Sequence, residues 1–289
     1  MDTFFQILIS GLVVGCIYGL VAIGFTTVYN VTNVVNFAQG ESSMLGALLT
    51  ATMITFGFSL LLSAVCGILL VGVLNILVER VAIRPVGKNI TKGILITIGV
   101  SVVLQGLAVV LWGTNAQALP TFSQQQNFNI GNVVVASQAL WVIGTSVTLM
   151  GGLYLFLTRT YLGRTFRACA MNPDTAALMG IPAGMIRGLG FFMSGGIGAI
   201  AGIIIAPMAL MQYDSGAALG IKGFIACIIG GFGNPVGAAL GGVLLGLLEA
   251  FASGYISSGM KNAIAFLMLL VFLFIRPGGI LGEFDKVKR

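Results

Sequence analysis

Histidine is absent from this chain and charge is scarce: only 8% of its 289 residues are Asp, Glu, Lys or Arg. A soluble domain carries roughly a quarter of its residues as charges. A chain of this length could bury a sizeable core in water, but its surface would need polar cover that this sequence does not have. The four cysteines (Cys16, Cys66, Cys169, Cys227) are scattered, so with no histidine there is no metal cluster, disulfide framework or Cys/His nucleophile pair. An enzymatic reading therefore finds no residues to carry it. The Gly-x-x-x-x-Gly-Lys-Ser/Thr phosphate loop is also missing, so any ATP must be hydrolysed on another chain. No basic stripe with interleaved aromatics accompanies the net charge of +6, which removes nucleic acid as its purpose.

What is present is apolar length and glycine. Hydrophobic residues make up 57% of the chain, and about 20 mainly apolar residues suffice to cross a bilayer as a helix. Runs of this kind predict spans near 4–29, 41–58, 60–78, 94–112, 138–158, 188–209, 235–256 and 260–275. The shorter, Gly-broken stretch 220–233 is either a ninth crossing or a re-entrant piece. The expectation is an all-α, polytopic transmembrane bundle of eight or nine spans, forming one domain over 1–289. Of the 42 glycines, several stand four apart inside apolar runs: Gly11/Gly15/Gly19, Gly198/Gly202, Gly237/Gly241 and Gly242/Gly246. That spacing lets helix backbones approach closely in lipid.

The basic residues assign the sides. Arg80, Arg84, Lys88 and Lys92 form one cluster, Arg159, Arg164, Arg167 and Arg187 a second, and Arg276, Lys286, Lys288 and Arg289 a third. By the positive-inside rule all three face the cytoplasm, which makes 159–187 a cytoplasmic loop. The loop 113–137 has no charge and contains Pro120 and Gln124-Gln125-Gln126, so it is expected outside. Parity then asks 220–233 to cross. It also puts the N-terminus on the periplasmic side and the C-terminus in the cytoplasm, so the first run is an uncleaved helix rather than a signal peptide.

Four features exceed what a generic bundle needs. Between the first two apolar runs lie Asn30, Asn33, Asn36, Gln39 and Glu41. They form either a solvated loop or a polar break lining a solute path, since non-helical backbone at membrane depth is tolerated where it lines a cavity. In the cytoplasmic loop, Asn172 is placed to cap a short helix over Asp174 to Met179. Pro173 would stand at its first position, Gly180 would end it and Pro182 would prevent continuation. Its apolar residues Ala177, Leu178 and Ile181 lie outside the bilayer, so the helix either rests on the membrane or docks into a partner. Asp214 and Lys222 suggest an external ion pair or a contact for an external protein, with path lining as the alternative. Glu249, near the end of a span with Lys261 beyond it, is either an intramembrane acid, and then a functional candidate by default, or an interfacial one.

Asp174-Thr175-Ala176-Ala177-Leu178-Met179-Gly180 resembles the Glu-Ala-Ala…Gly coupling motif of ABC importer permeases, with Asp for Glu and Thr for the first Ala. Asn36-Phe37-Ala38-Gln39-Gly40-Glu41 is similar to the Asn-Phe-Ala-His-Gly-Glu segment of the permeases for branched-chain amino acids, with Gln39 in place of the frequent His. Glu79-Arg80, Arg84-Pro85, the run Ile229 to Gly237, and Arg276 to Gly282 resemble further landmarks of that family, in order and over nearly the whole chain. The nearest resemblance is to the LivH-type subunit.

The resemblance implies a non-enzymatic importer subunit in the inner membrane, without cofactor of its own, for branched-chain amino acids or similar solutes such as amides, urea and aromatic acids. Its implied partners are a second permease (related or identical), two cytoplasmic ATPases that bind the ATP, and a periplasmic solute-binding protein. It implies ATPase coupling for Arg167, Asp174, Thr175, Ala176, Ala177, Gly180 and Ile181. Asn33, Asn36, Gln39 and Glu41 are the expected translocation path. A stand-alone secondary transporter or channel is the alternative; it would need its own intramembrane coupling groups, for which only Glu41 and Glu249 are available.

Overall fold

The computed structural model describes residues 2–87, 89–123, 127–130 and 133–282. Helices α1 (Asp2–Thr32), α2 (Gln39–Thr55), α3 (Leu60–Val78) and α4 (Ile90–Trp112) come first. An antiparallel hairpin, β1 (Asn127–Ile130) with β2 (Val133–Ala136), leads into α5 (Ser137–Arg159). Two short helices follow, α6 (Tyr161–Met171) and α7 (Pro173–Leu178), and then α8 (Ala183–Ile205), α9 (Ser215–Gly230), α10 (Pro235–Tyr255) and α11 (Lys261–Ile275). Among the described residues seven helical stretches are long and apolar enough to span a membrane. They belong to α1, α3, α4, α5, α8, α10 and α11, the last extended by a 3-10 turn to Ser258–Ile275, and they make the chain a polytopic helical bundle.

Helices α2 and α9 are the exceptions, at 17 and 16 residues. At 1.5 Å rise per residue each is about 25 Å long, less than the roughly 30 Å hydrocarbon thickness. Protein covers the shortfall. Helix α2 is buried along most of its length and packs against α8, α3 and α9.

Small residues set how close the helices come. A side chain on Gly242 or Gly246 of α10 would run into the backbone of Gly19 or Gly15 of α1. One on Gly202 of α8 would meet the Ser43 carbonyl of α2, and one on Gly241 of α10 the Ala226 carbonyl of α9. Without a hydrophobic driving force between helices in lipid, such backbone approach supplies the dispersion contacts that hold a bundle together. The interior is lined by residues such as Ile17, Leu20, Phe25, Phe191, Ile225 and Leu245, all with little or no exposed surface.

The contact order gives the direction of each helix. Gly11, Gly15 and Gly19 meet Leu247, Val243 and Ala239 in that sequence, so α1 and α10 are antiparallel. Gln39 lies by Ser194 and Ser43 by Gly202, so α2 and α8 are parallel. Glu41 lies by Gly216 and Gly40 by Gly220, so α9 runs against α2. Segments 33–38, 79–87, 160–182, 231–234 and 276–282 therefore gather at one end, and 56–59, 113–123, 206–214 and 256–260 at the other. A bridge between Gln117 and Met211 ties two of the latter. Arg80, Arg84, Arg159, Arg164, Arg167, Arg187 and Arg276 all belong to the first end, whereas Lys88, Lys286, Lys288 and Arg289 lie outside the described residues.

Three features depart from the sequence expectations. The loop 113–137 carries the β1–β2 hairpin, and its Gln124-Gln125-Gln126 run lies outside the described residues. Helix α9 begins at Ser215 rather than near 220, because Lys222 has a carboxylate partner inside the bundle and so does not interrupt the buried helix. Residues 161–171, read as loop, form amphipathic α6, which buries Gly163, Phe166 and Cys169 and is capped by Thr160 Oγ1 accepting from Gly163 N at 2.9 Å.

Candidate functional site

The chain break between α1 and α2 is built by asparagine. Asn33 takes φ +54°, which asparagine tolerates better than most residues, and its amide donates to Tyr29 O at 2.8 Å, ending α1. The chain then turns back into the bundle, so that Gln39 lies beside Gly24, eight residues short of the end of α1. Helix α2 therefore starts in the interior. Of the four residues expected to line a path, Asn33 is exposed at the turn, while Asn36, Gln39 and Glu41 are fully buried.

Each buried member is oriented by specific partners. Asn36 Oδ1 accepts from Ala38 N at 3.2 Å, which fixes the amide orientation and leaves Nδ2 without a partner. Gln39 Nε2 donates to Ser194 O at 2.9 Å, and its Oε1 lies 2.5 Å from Ser194 Oγ, joining α2 to α8. Glu41, in the first turn of α2 where the helix dipole favours an acid, accepts at Oε1 from Ser101 Oγ and Gln105 Nε2 of α4, both at 2.8 Å. Its Oε2 is buried without a partner and points at Gly216 of α9, where any side chain would strike it. Five helices meet here: α1, α2, α4, α8 and α9.

An aromatic strip adjoins this cluster. Phe37 packs on Phe224 at 5.1 Å between ring centroids, Phe224 on Phe232 at 5.7 Å and Phe232 on Tyr29 at 5.0 Å. Phe25 lies 5.9 Å from Phe224. All but Phe25 are half-buried. The sequence reading missed it, because its members come from three separate segments and share no spacing.

A second polar group sits across the bundle. Lys222 Nζ of α9 pairs with Glu249 Oε1 of α10 at 2.5 Å, and Tyr18 of α1 donates to Glu249 Oε2 at 3.0 Å. The lysine also lies 5.4 Å from the Tyr18 ring centroid. Lys222 is thus the partner of Glu249, not the expected partner of Asp214, which is exposed ahead of α9. Two residues on different spans found each other through the fold, and neither sequence distance nor local pattern announces that.

The basic end carries the loop read as a docking helix. Helix α7 spans Pro173–Leu178, with Asn172 Oδ1 accepting from Asp174 N at 3.0 Å and Thr175 N at 3.1 Å. Gly180 takes φ +81°, and the Ile181 amide donates to Ala176 O at 3.1 Å, turning the chain out of the helix. Ala176 is buried with Val31, Phe166, Cys169 and Ile186, and Ile181 packs beside them. That cluster fixes α7 to α6 and the start of α8. Arg167, Asp174, Thr175, Ala177 and Gly180 face solvent, and Leu178 and Met179 are 88% and 80% exposed. The helix is anchored by one face and offers an apolar tip on the other.

Comparisons with known proteins agree with this architecture. The family model described as "Branched-chain amino acid transport system / permease component" matches residues 7–273. The chain is 34% identical, over 98% of its own length and 98% of the relative's, to the high-affinity branched-chain amino acid transport system permease protein BraD of Pseudomonas aeruginosa. It is 32% identical over the same shares to LivH of Escherichia coli, and 29% identical over 93% and 90% to a probable LivH of Methanocaldococcus jannaschii. Among solved structures it resembles PsaBC from Streptococcus pneumoniae in complex with Fab, at a TM-score of 0.53 and 14% identity over 96% of this chain and 93% of that one. That likeness is one of fold alone.

Proposed function

This chain belongs to the family of branched-chain amino acid transport permeases, and from that premise we propose that it moves branched-chain amino acids, or similar small polar solutes, through an importer driven by ATP hydrolysis on partner subunits. It is a multi-pass transmembrane subunit of the inner membrane and a transport component, not an ATPase. Its proposed partners are a second permease, two cytoplasmic ATPases and a periplasmic solute-binding protein. Amides, urea and aromatic acids are the other solutes included in this proposal.

The end that gathers seven arginines is the cytoplasmic one in this proposal, because cytoplasmic loops carry the Lys/Arg excess. The N-terminus of α1 is then periplasmic and the segment after α11 cytoplasmic. Helix α7 lies at that cytoplasmic end, where an ATPase reaches it. The observation that carries the reading is the construction of α7: capped by Asn172, held by Ala176 and Ile181, and exposing Leu178 and Met179. A helix anchored on one face and apolar on the other can pass a push from a docked subunit to α6 and α8.

Asn33, Asn36, Gln39 and Glu41 are the proposed polar stretch of the solute path. The buried members line it when α9 and α2 separate.

Reconstituting the chain with its partner subunits in liposomes tests the proposal. Gly180→Ala or Asp174→Ala is expected to insert normally and to bind the ATPase, while solute uptake per ATP hydrolysed falls. Uptake at the parent rate would refute the coupling role. Solute flux through the chain alone, without ATP, would replace the importer reading with that of a secondary transporter.

A further inference from the structure

Among the polar groups buried over residues 33–41, two lack a partner, and they are of opposite sense; Ser43 Oγ, farther along α2, is a third. Asn36 Nδ2 is a donor and Glu41 Oε2 an acceptor, both buried. Leaving either group unsatisfied in a low-dielectric interior is unfavourable, and more so for a charged one. Neither arises from loose placement: the Ala38 amide holds the Asn36 side chain, and Ser101 and Gln105 hold the Glu41 carboxyl from one side. Glu41 has no cationic side chain among its hydrogen-bonding partners, whereas Glu249 has Lys222. A carboxylate positioned by two donors and left with a free oxygen is arranged to receive a further donor.

What covers that oxygen is one face of α9. Gly216, Gly220 and Phe224 follow at four-residue intervals and so share a face. Gly216 lies on Glu41 Oε2, Gly220 on Gly40, and Phe224 on Phe37. A single face of one short helix thus closes over both the unpartnered carboxylate oxygen and the aromatic strip. Helix α9 is followed by Gly231 at φ +107° and Gly233 at φ +91°, conformations that glycine adopts at no steric cost.

We propose that the α2–α9 seam is a transit site for a zwitterion with an apolar side chain. Glu41 takes the solute ammonium, Asn36 Nδ2 its carboxylate, and the strip Phe37–Phe224–Phe232 its hydrocarbon part. Helix α9 covers this seam, and the solute takes it when α9 and α2 separate. This inference rests on the path reading above and adds to it which solute group each residue meets.

The test uses the complete importer in liposomes, with radiolabelled leucine as the probe and leucine moved per ATP hydrolysed as the readout. Glu41→Gln keeps the size of the side chain and an oxygen for Ser101 and Gln105 but loses the charge. A charge-assisted hydrogen bond contributes about 1.5–3 kcal/mol, so the ratio is expected to fall roughly tenfold or more. Glu41→Asp, which keeps the charge, recovers part of it. A ratio at the parent value in Glu41→Gln overturns the proposal, as does an equal fall in Glu41→Gln and Glu41→Asp. A cysteine at Phe37, in a background with the four native cysteines replaced by serine, tests the path reading separately. Leucine-protected labelling by a water-soluble thiol reagent supports the path. Protected labelling together with normal transport by Glu41→Gln keeps the path and removes the zwitterion site. Absence of labelling in every nucleotide state removes both.

Discussion

Two of the carboxylates buried among the described residues, Glu249 and Glu41, are treated in opposite ways. Glu249 has a lysine on one oxygen and a tyrosine hydroxyl on the other, contributed by α9 and α1. Glu41 has two neutral donors on one oxygen and nothing on the other. The first arrangement is complete: it neutralises the charge and ties α1, α9 and α10 together. The second is incomplete by one donor, in a place where five helices meet. One acid is satisfied at both oxygens and the other at one, and the proposed transit site depends on that contrast.

That contrast can be broken at several points. The largest effect is expected for Lys222→Met, which leaves Glu249 charged and without its cation in the interior. Removing one member of a buried pair costs about 3–5 kcal/mol, so thermal unfolding in detergent should show a marked loss of stability. The exchange Lys222→Glu with Glu249→Lys should restore much of it. If Lys222→Met were as stable as the parent, the pair would not be structural.

Gly216→Ala comes next. Its methyl group would strike Glu41 Oε2, and overpacking typically costs about 1–3 kcal/mol. A lowered unfolding temperature and reduced uptake are expected, with Glu41→Ala in the same chain relieving the stability loss. Tyr18→Phe removes one hydrogen bond to a carboxylate that keeps its lysine, so a loss of about 1.5–3 kcal/mol is the upper range. Glu41→Gln should have the smallest effect on stability, under about 1 kcal/mol, because it removes a charge whose second oxygen had no partner to lose. A large destabilisation by Glu41→Gln would make the two acids alike and erase the distinction.

Much of this was legible in the sequence. Apolar runs located the long spans to within a few residues, because lipid imposes length and composition directly. The glycine pairs at four-residue spacing fell at the crossings of α1 with α10 and of α8 with α2. The ends of α7 followed from Asn172, Pro173 and Gly180, since capping is local chemistry. Helix α6 was missed, although Thr160 as a cap and the period of Gly163, Phe166 and Cys169 could have signalled it. The Lys222–Glu249 pair and the Phe37–Phe224–Phe232 strip were not legible at all: each depends on which helices become neighbours, and a single sequence does not contain that. The same holds for the position of Gln39 deep beside Gly24, since the polar break read equally well as a solvated loop.

The central claim is that α7 grips a separate ATPase on the cytoplasmic side. A cysteine at Leu178, 88% exposed at the tip of α7, allows a direct test by crosslinking in membranes holding the assembled importer. The account predicts a crosslink to an ATPase subunit, and labelling by an impermeant thiol reagent only when the cytoplasmic face is open. Labelling from the external face, or no crosslink to any ATPase in the assembled complex, would contradict it.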